Sequence, residues 1–265
     1  MHVLGTNLWS AGTYTLNCYA SSSGAIADKY FFVCDDKINE MIVHHGSFDS
    51  SSANREEPFV ILACNDSSIK VVDDAGHLLY QTVLDAAPTC MALVPRAESG
   101  EGARASPTIL LYGLKNGAIG AIELQTDEAI GLWEVDQSNM GKSSAAISHI
   151  KVAQLRENQP ESCILVREDS SIEIYKFTGR ADQPIGIQEP ALVFETKDSE
   201  AITGCVIGHV TSAARREILF TCYSGDIKSL VDRRQARKLG AATEDLSKMT
   251  DAQINKEKQT KLALL

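Results

Sequence analysis

One nine-residue pattern recurs four times in this chain and restricts its fold more than any other feature. Ile61–Ile69 (ILACNDSSI), Leu111–Ile119 (LYGLKNGAI), Ile164–Ile172 (ILVREDSSI) and Leu219–Ile227 (LFTCYSGDI) align without gaps. Their closing isoleucines lie 50, 53 and 55 residues apart. Each copy is an apolar strand, a polar turn, and a second strand that opens with isoleucine. The turns carry Asn65-Asp66, Asn116-Gly117, Asp169-Ser170 and Ser224-Gly225. These residue types tolerate positive φ or bond their own backbone, as tight hairpins require. In the second strands Ile69 and Val71, Ile119 and Ala121, Ile172 and Ile174, and Ile227 share one side, with Lys70, Glu173 and Lys228 between them. A period of two predicts half-buried strands.

Further strands flank each hairpin. Residues 37–44, 89–95, 145–153 and 201–208 precede them, and 77–85, 129–136 and 190–197 follow the first three. The unit is therefore four strands in about fifty residues, repeated, which predicts propeller blades rather than a sandwich. The reading is all-β: an incomplete propeller of about four to five four-stranded blades, followed by a C-terminal helix. Residues 1–33 are expected to hold an incomplete blade. Full blades are expected at about 37–84, 88–135 and 145–196, and a last unit of three strands at about 200–232. Residues 48–57 and 96–107, rich in Ser, Gly, Ala and charge, read as exposed insertions.

The propeller is expected over 1–235 and a helix over 243–265. Thr243 precedes acids in a first turn, and the stretch to Leu265 has no Gly or Pro. Leu246, Met249, Ile254, Leu262 and Leu265 form a rough apolar stripe, interrupted by Lys258 and Lys261. The stripe suggests the start of a coiled coil. Ile254, Leu262 and Leu265 are the candidate partner-helix contacts.

Apolar residues make up 44% of the 265, enough for a sizeable core. A net charge of −10 argues against a nucleic-acid partner, which needs a basic surface. No run of about eighteen apolar residues is present, so no transmembrane helix is expected. The seven cysteines lie mostly in apolar runs without a CxxC pair, and read as reduced core residues rather than a zinc cluster. Catalytic patterns are missing: there is no phosphate-binding glycine loop and no GxSxG elbow. His44-His45 would point to opposite faces of a strand, so the pair is a poor metal site. Asp35-Asp36 and Asp73-Asp74 sit beside strand ends and read as turn caps rather than an acid–base pair. No catalytic, metal or cofactor residue is assigned, and no enzyme activity or cofactor is expected.

Several of these residues also carry a resemblance. Tyr30–His44 (YFFVCDDKINEMIVH) and Val60–Asp73 (VILACNDSSIKVVD) resemble strands of the Bardet–Biedl syndrome 7 family of BBSome subunits. So do Leu111–Leu124 with Leu132–Val135, Thr221–Leu230 and Ile254–Leu265, in one order along essentially the whole chain. Single motifs are weakly specific, but their order and spacing are much stronger. The resemblance implies a seven-bladed propeller leading into a coiled coil, within a non-enzymatic scaffold subunit of a coat that traffics membrane proteins to and from cilia. The implied partners are the Bardet–Biedl syndrome 2 and 9 proteins in a hetero-oligomer, with no direct membrane insertion. The implied locations are cytoplasm, cilium, basal body and, peripherally, the ciliary membrane. The match begins after roughly two blades of the family pattern, so the chain reads as a fragment with exposed apolar blade faces. Lys258 departs from the family, which is apolar there, and the 96–107 loop is more elaborate. A rival reading is a generic peptide-binding propeller adaptor of another complex, marked by basic or aromatic residues on one face. An enzyme would need ionisable groups converging on the central channel.

Overall fold

A computed structural model describes residues 1–4, 6–22, 25–45, 58–94, 108–135, 144–155, 160–177, 188–210 and 216–230. The expected insertions at 48–57 and 96–107 and the expected helix at 243–265 lie outside these residues. The described residues form five antiparallel sheets. The first holds β1 (His2–Leu4), β2 (Asn7–Ala11), β3 (Thr15–Ser22) and β4 (Ala25–Val33). The second holds β5 (Ile38–His45), β6 (Pro58–Cys64), β7 (Ser68–Val72) and β8 (Leu78–Val83). The third holds β9 (Pro88–Leu93), β10 (Thr108–Leu114), β11 (Ile119–Leu124) and β12 (Ala129–Val135). The fourth holds β13 (Ile147–Ala153), β14 (Ser162–Arg167), β15 (Ser171–Lys176) and β16 (Ala191–Lys197). The fifth has three strands, β17 (Ile202–Gly208), β18 (Glu217–Cys222) and β19 (Ile227–Leu230). Every sheet runs in sequence order, the topology of propeller blades.

The blade map agrees with the sequence in four units and differs in the first. Residues 1–33 carry four paired strands, not an incomplete blade. Its first strand is only three residues long, His2 pairing with Trp9 and Leu4 with Asn7, too short to show a period of two.

The hairpins follow one chemical rule. The sixth residue of each copy, Asp66, Asn116, Asp169 or Ser224, accepts a hydrogen bond from the backbone N–H two residues on. The seventh has positive φ: Ser67 62°, Gly117 88°, Ser170 71° and Gly225 90°. The backbone N–H of the fifth, Asn65, Lys115, Glu168 or Tyr223, donates to the residue just before the innermost strand of its blade. Those acceptors are the carbonyls of Lys37, Ala87, Ala146 and Ala201, so the turn also anchors the chain entering each blade. Two serines stand where the other copies have glycine, and a left-handed L-residue costs roughly 1–2 kcal/mol. Ser170→Gly should therefore raise stability by about 0.5 kcal/mol once the extra freedom of the unfolded glycine is subtracted. Urea denaturation of variant and parent checks this.

The core is divided between neighbouring blades. Trp9, Leu16 and Cys18 of the first pack with Met41, Val60 and Leu62 of the second. Ile61, Ile69 and Val71 meet Leu110, Tyr112 and Ile122 of the third. Ile109, Leu111 and Ile119 meet Ile147, Cys163 and Leu165 of the fourth, whose Ile164, Val166 and Ile172 meet Ile202, Ile218 and Phe220 of the fifth. Inner strands are tied side by side. Asn39 Nδ2 donates to the Pro88 carbonyl at 2.9 Å, Glu40 accepts from the Met91 N–H, and the Thr89 hydroxyl donates to the Ile147 carbonyl.

This sandwiching corrects the half-buried expectation. All five residues of β7 are buried, Lys70 among them, and so is Glu173 in β15. An inner blade has a neighbour on both faces, so the polar side of the alternation is covered too. The buried charges are paired. Lys70 Nζ lies 2.5 Å from Asp66 Oδ2 and donates to the Ser68 hydroxyl at 2.7 Å. Glu173 accepts from Arg167 Nε at 2.8 Å, Arg167 Nη2 at 3.2 Å and the Tyr175 hydroxyl at 2.8 Å.

Candidate interaction surface

The closing isoleucine of each hairpin reports what covers the face beyond it. Ile69, Ile119 and Ile172 are each 1% exposed and pack onto the following blade. Ile227 occupies the same place in the fifth blade and is 72% exposed. Among the described residues its sheet is covered on one side, by the fourth blade. Thr221 pairs with Ile227, and Leu219 with Val206, so all four share the open face. Val206 is exposed there, and Tyr223 is 85% exposed at the adjoining turn.

The first blade has the opposite open face. Leu16 pairs with Phe32 and Cys18 with Tyr30 on the side that meets the second blade. The alternate residues point away: Val3 beside Leu8, Leu8 beside Tyr19, Asn17 beside Phe31, and Thr15 beside Val33. Phe31, Val33 and Val3 are all more than half exposed. Among the described residues, no hydrophobic cluster joins the first blade to the fifth. Among the described residues the blades thus form an open arc with an apolar face at each end, and contiguous exposed apolar surface marks a place where something docks.

The remaining candidates carry less chemistry. Asp73 Oδ1 accepts from the backbone N–H groups of Ala75 at 2.9 Å and His77 at 2.8 Å. Asp36 Oδ1 accepts from the Lys37 N–H at 2.7 Å. Both acidic pairs therefore include a turn-capping carboxylate, as the sequence predicts. Asp74 lies 2.6 Å from Lys29 Nζ. Lys29 and both acids line a cavity of about 380 Å³ with Tyr30 and Ala75, which the ion pair and the capping bonds already engage. His44 and His45 end β5 on opposite faces, His44 half-buried and His45 exposed. Among the described residues, no three potential ligands of the His, Cys, Asp or Glu type gather as a metal site. Nor is any helix there long and apolar enough to cross a membrane. Six of the seven cysteines are buried, and burial pushes the Cys90 thiol up to about 12. Ile254, Leu262 and Leu265 lie outside the described residues.

Shifted ionisations predict how the arc responds to acid. Burial, with a lesser push from Lys151, holds His149 below the usual imidazole value of 6.5, against a hydrogen bond to the Thr203 backbone. The unfolded ring then takes a proton first, so stability falls as pH drops through about 6.5. Burial raises the Asp66 carboxyl, but hydrogen bonds from Lys70 and Ser68 outweigh it and leave it below the usual 3.8. Hydrogen bonds to His77 and Ala75 likewise outweigh burial at Asp73. Stability from these carboxylates is present above 3.8 and is lost as pH falls through their lower folded values. Burial raises Glu40, so its protonation adds stability as pH falls from its folded value to 4.5 and there opposes the loss from His149. Urea midpoints against pH should show a first decline below pH 6.5 that His149→Gln removes, and a second below pH 3.8 that it leaves.

Comparison with known proteins adds family evidence. A family model described as the BBS7 beta-propeller matches residues 1–232. The chain is 25% identical over 267 aligned positions to the BBSome complex member BBS7 of Mus musculus, covering 100% of this chain and 32% of that protein. It is 27% identical over 204 positions to the BBSome complex member bbs-7 of Caenorhabditis elegans, covering 77% of this chain and 25% of that protein. The chain thus spans about a third or less of the curated relatives it matches. Among solved structures, BBS1N in complex with ARL6DN superposes with a TM-score of 0.50 at 12% identity, over 84% of this chain and 74% of that one. That likeness concerns the fold alone.

Proposed function

Since the chain belongs to the BBS7 β-propeller family, we propose that it acts as a non-enzymatic scaffold unit of the BBSome, a coat-like complex that moves membrane proteins to and from cilia. The observation that carries this reading is the family match over residues 1–232. The open arc supports it physically. Blade faces ending in Phe31 and Val33 on one side and Ile227 and Val206 on the other are suited to burial against other protein surface. A seven-bladed ring belongs to the same proposal: further blades cover those two faces and remove the open ends.

In this reading residues 1–235 are the propeller and 243–265 a helix that begins a coiled coil. Ile254, Leu262 and Leu265 form its contact with the Bardet–Biedl syndrome 2 protein, while the propeller lies near the Bardet–Biedl syndrome 9 protein. The assembly is a hetero-oligomer of cytoplasm, cilium and basal body, peripheral to the ciliary membrane. It requires neither cofactor nor catalysis. Replacing Ile254, Leu262 and Leu265 together by Asp should abolish co-precipitation of the helix partner and leave the β circular-dichroism signal intact. Unchanged co-precipitation would refute the contact.

A further inference from the structure

The first and second blades share a pair of thiols that the scaffold role does not use. Cys34 lies in the link between β4 and β5, and its backbone N–H donates to the Tyr14 carbonyl at 2.8 Å. Cys64 ends β6, where it pairs with Ile38 on one side and Ser68 on the other. Their Sγ atoms are 3.9 Å apart, the Cys64 thiol donating to Cys34. Both side chains sit in the core between the two blades, with Leu62 and Val72 in the same cluster.

We propose that Cys34 and Cys64 are a disulfide-forming pair, oxidised by a low-molecular-weight disulfide such as oxidised glutathione, that staples the first blade to the second. A bond of about 2.05 Å requires the two sulfurs to close on each other from their separation of 3.9 Å. The order of attack follows from the surroundings. The hydrogen bond from Cys64 lowers the Cys34 thiol against the cost of burial, and the nearby Lys70 ammonium acts in the same direction. That hydrogen bond and burial both raise Cys64. Cys34, as thiolate, therefore attacks one sulfur of glutathione disulfide and expels one glutathione thiolate. Cys64 then loses its proton and attacks the Cys34 sulfur of the mixed disulfide, expelling the second glutathione. Two protein thiols and one glutathione disulfide become one protein disulfide and two glutathione thiols, with two electrons passing to glutathione.

The pair also sits where a staple has mechanical meaning. Among the described residues the first blade packs on one neighbour, and Phe31 and Val33 on its outer face are exposed. Like the fifth blade it is an end of the arc, and local opening at such an end admits the small oxidant.

The test takes the full 265-residue chain through a series of glutathione redox buffers, traps free thiols after unfolding, and digests with trypsin. Free thiols should drop from seven to five, with residues 30–37 linked to residues 56–70. The oxidised chain should melt several degrees higher than the reduced one. Cys34→Ser and Cys64→Ser should each abolish the linked peptide and the shift, while Cys18→Ser should keep both. Seven titratable thiols throughout, a bridge between other cysteines, or a glutathione adduct at Cys34 that never resolves would each overturn the proposal.

Discussion

Arg167→Leu is expected to destabilise the arc by about 3–5 kcal/mol, the cost of breaking a buried ion pair from one side. The guanidinium is wholly buried at the end of β14 and closes a network across the third and fourth blades. Beyond its two bonds to Glu173, Arg167 Nη1 donates to the Gly117 carbonyl at 2.8 Å and the Ala145 carbonyl at 3.0 Å. Without it, the Glu173 carboxylate remains in the core with the Tyr175 hydroxyl, and two carbonyls lose a donor. A matched apolar pair, Arg167→Leu with Glu173→Leu, should recover much of the loss because no charge is then left unpaired. Urea unfolding of the two single variants and the double variant measures the coupling. If the double variant is as unstable as the sum of the singles, the network is not what Arg167 contributes.

Gly117→Ala should be the most damaging of the turn substitutions, at about 3 kcal/mol or more. Its φ of +88° alone costs a side chain roughly 1–2 kcal/mol. A Cβ there would also stand 2.8 Å from the Ser144 carbonyl carbon and oxygen and 2.9 Å from the Ala145 oxygen. Those are backbone atoms of the link entering the fourth blade, and the Ala145 oxygen also receives Arg167, so they cannot yield cheaply. Gly225 is the internal comparison. It holds the same turn position with φ +90°, and a Cβ there would meet nothing within 4 Å. Gly225→Ala should cost only the backbone penalty. Equal losses at the two positions would mean that the turn, not the neighbouring blade, sets the penalty at Gly117.

Most of the strand plan was legible in the sequence. The hairpins, their turn chemistry and the flanking strands of the second to fifth blades are all local features. Asp66, Asn116, Asp169 and Ser224 announce their turns because their side chains bond backbone two residues away. The first blade was not fully legible, because a three-residue strand such as β1 has no room for periodicity and is recognisable only once paired. The same limit hid the burial of Lys70 and Glu173. A strand whose charge stands between two apolar residues reads as having one wet face, and nothing local reveals that a second sheet lies over it. The proposed interface residues, Ile254, Leu262 and Leu265, rest on sequence alone.

The four aligned hairpins therefore established, without coordinates, that this chain builds repeating antiparallel blades, and the residues around them pointed to its family. Tertiary structure decided which face of each strand is covered. It separated Ile172, closed under the fifth blade, from Ile227, left open at the end of the arc, although the two occupy one place in the repeat. The physical reason is that a hairpin is specified by bonds within a few residues, whereas burial of its faces depends on sheets formed some fifty residues away in either direction.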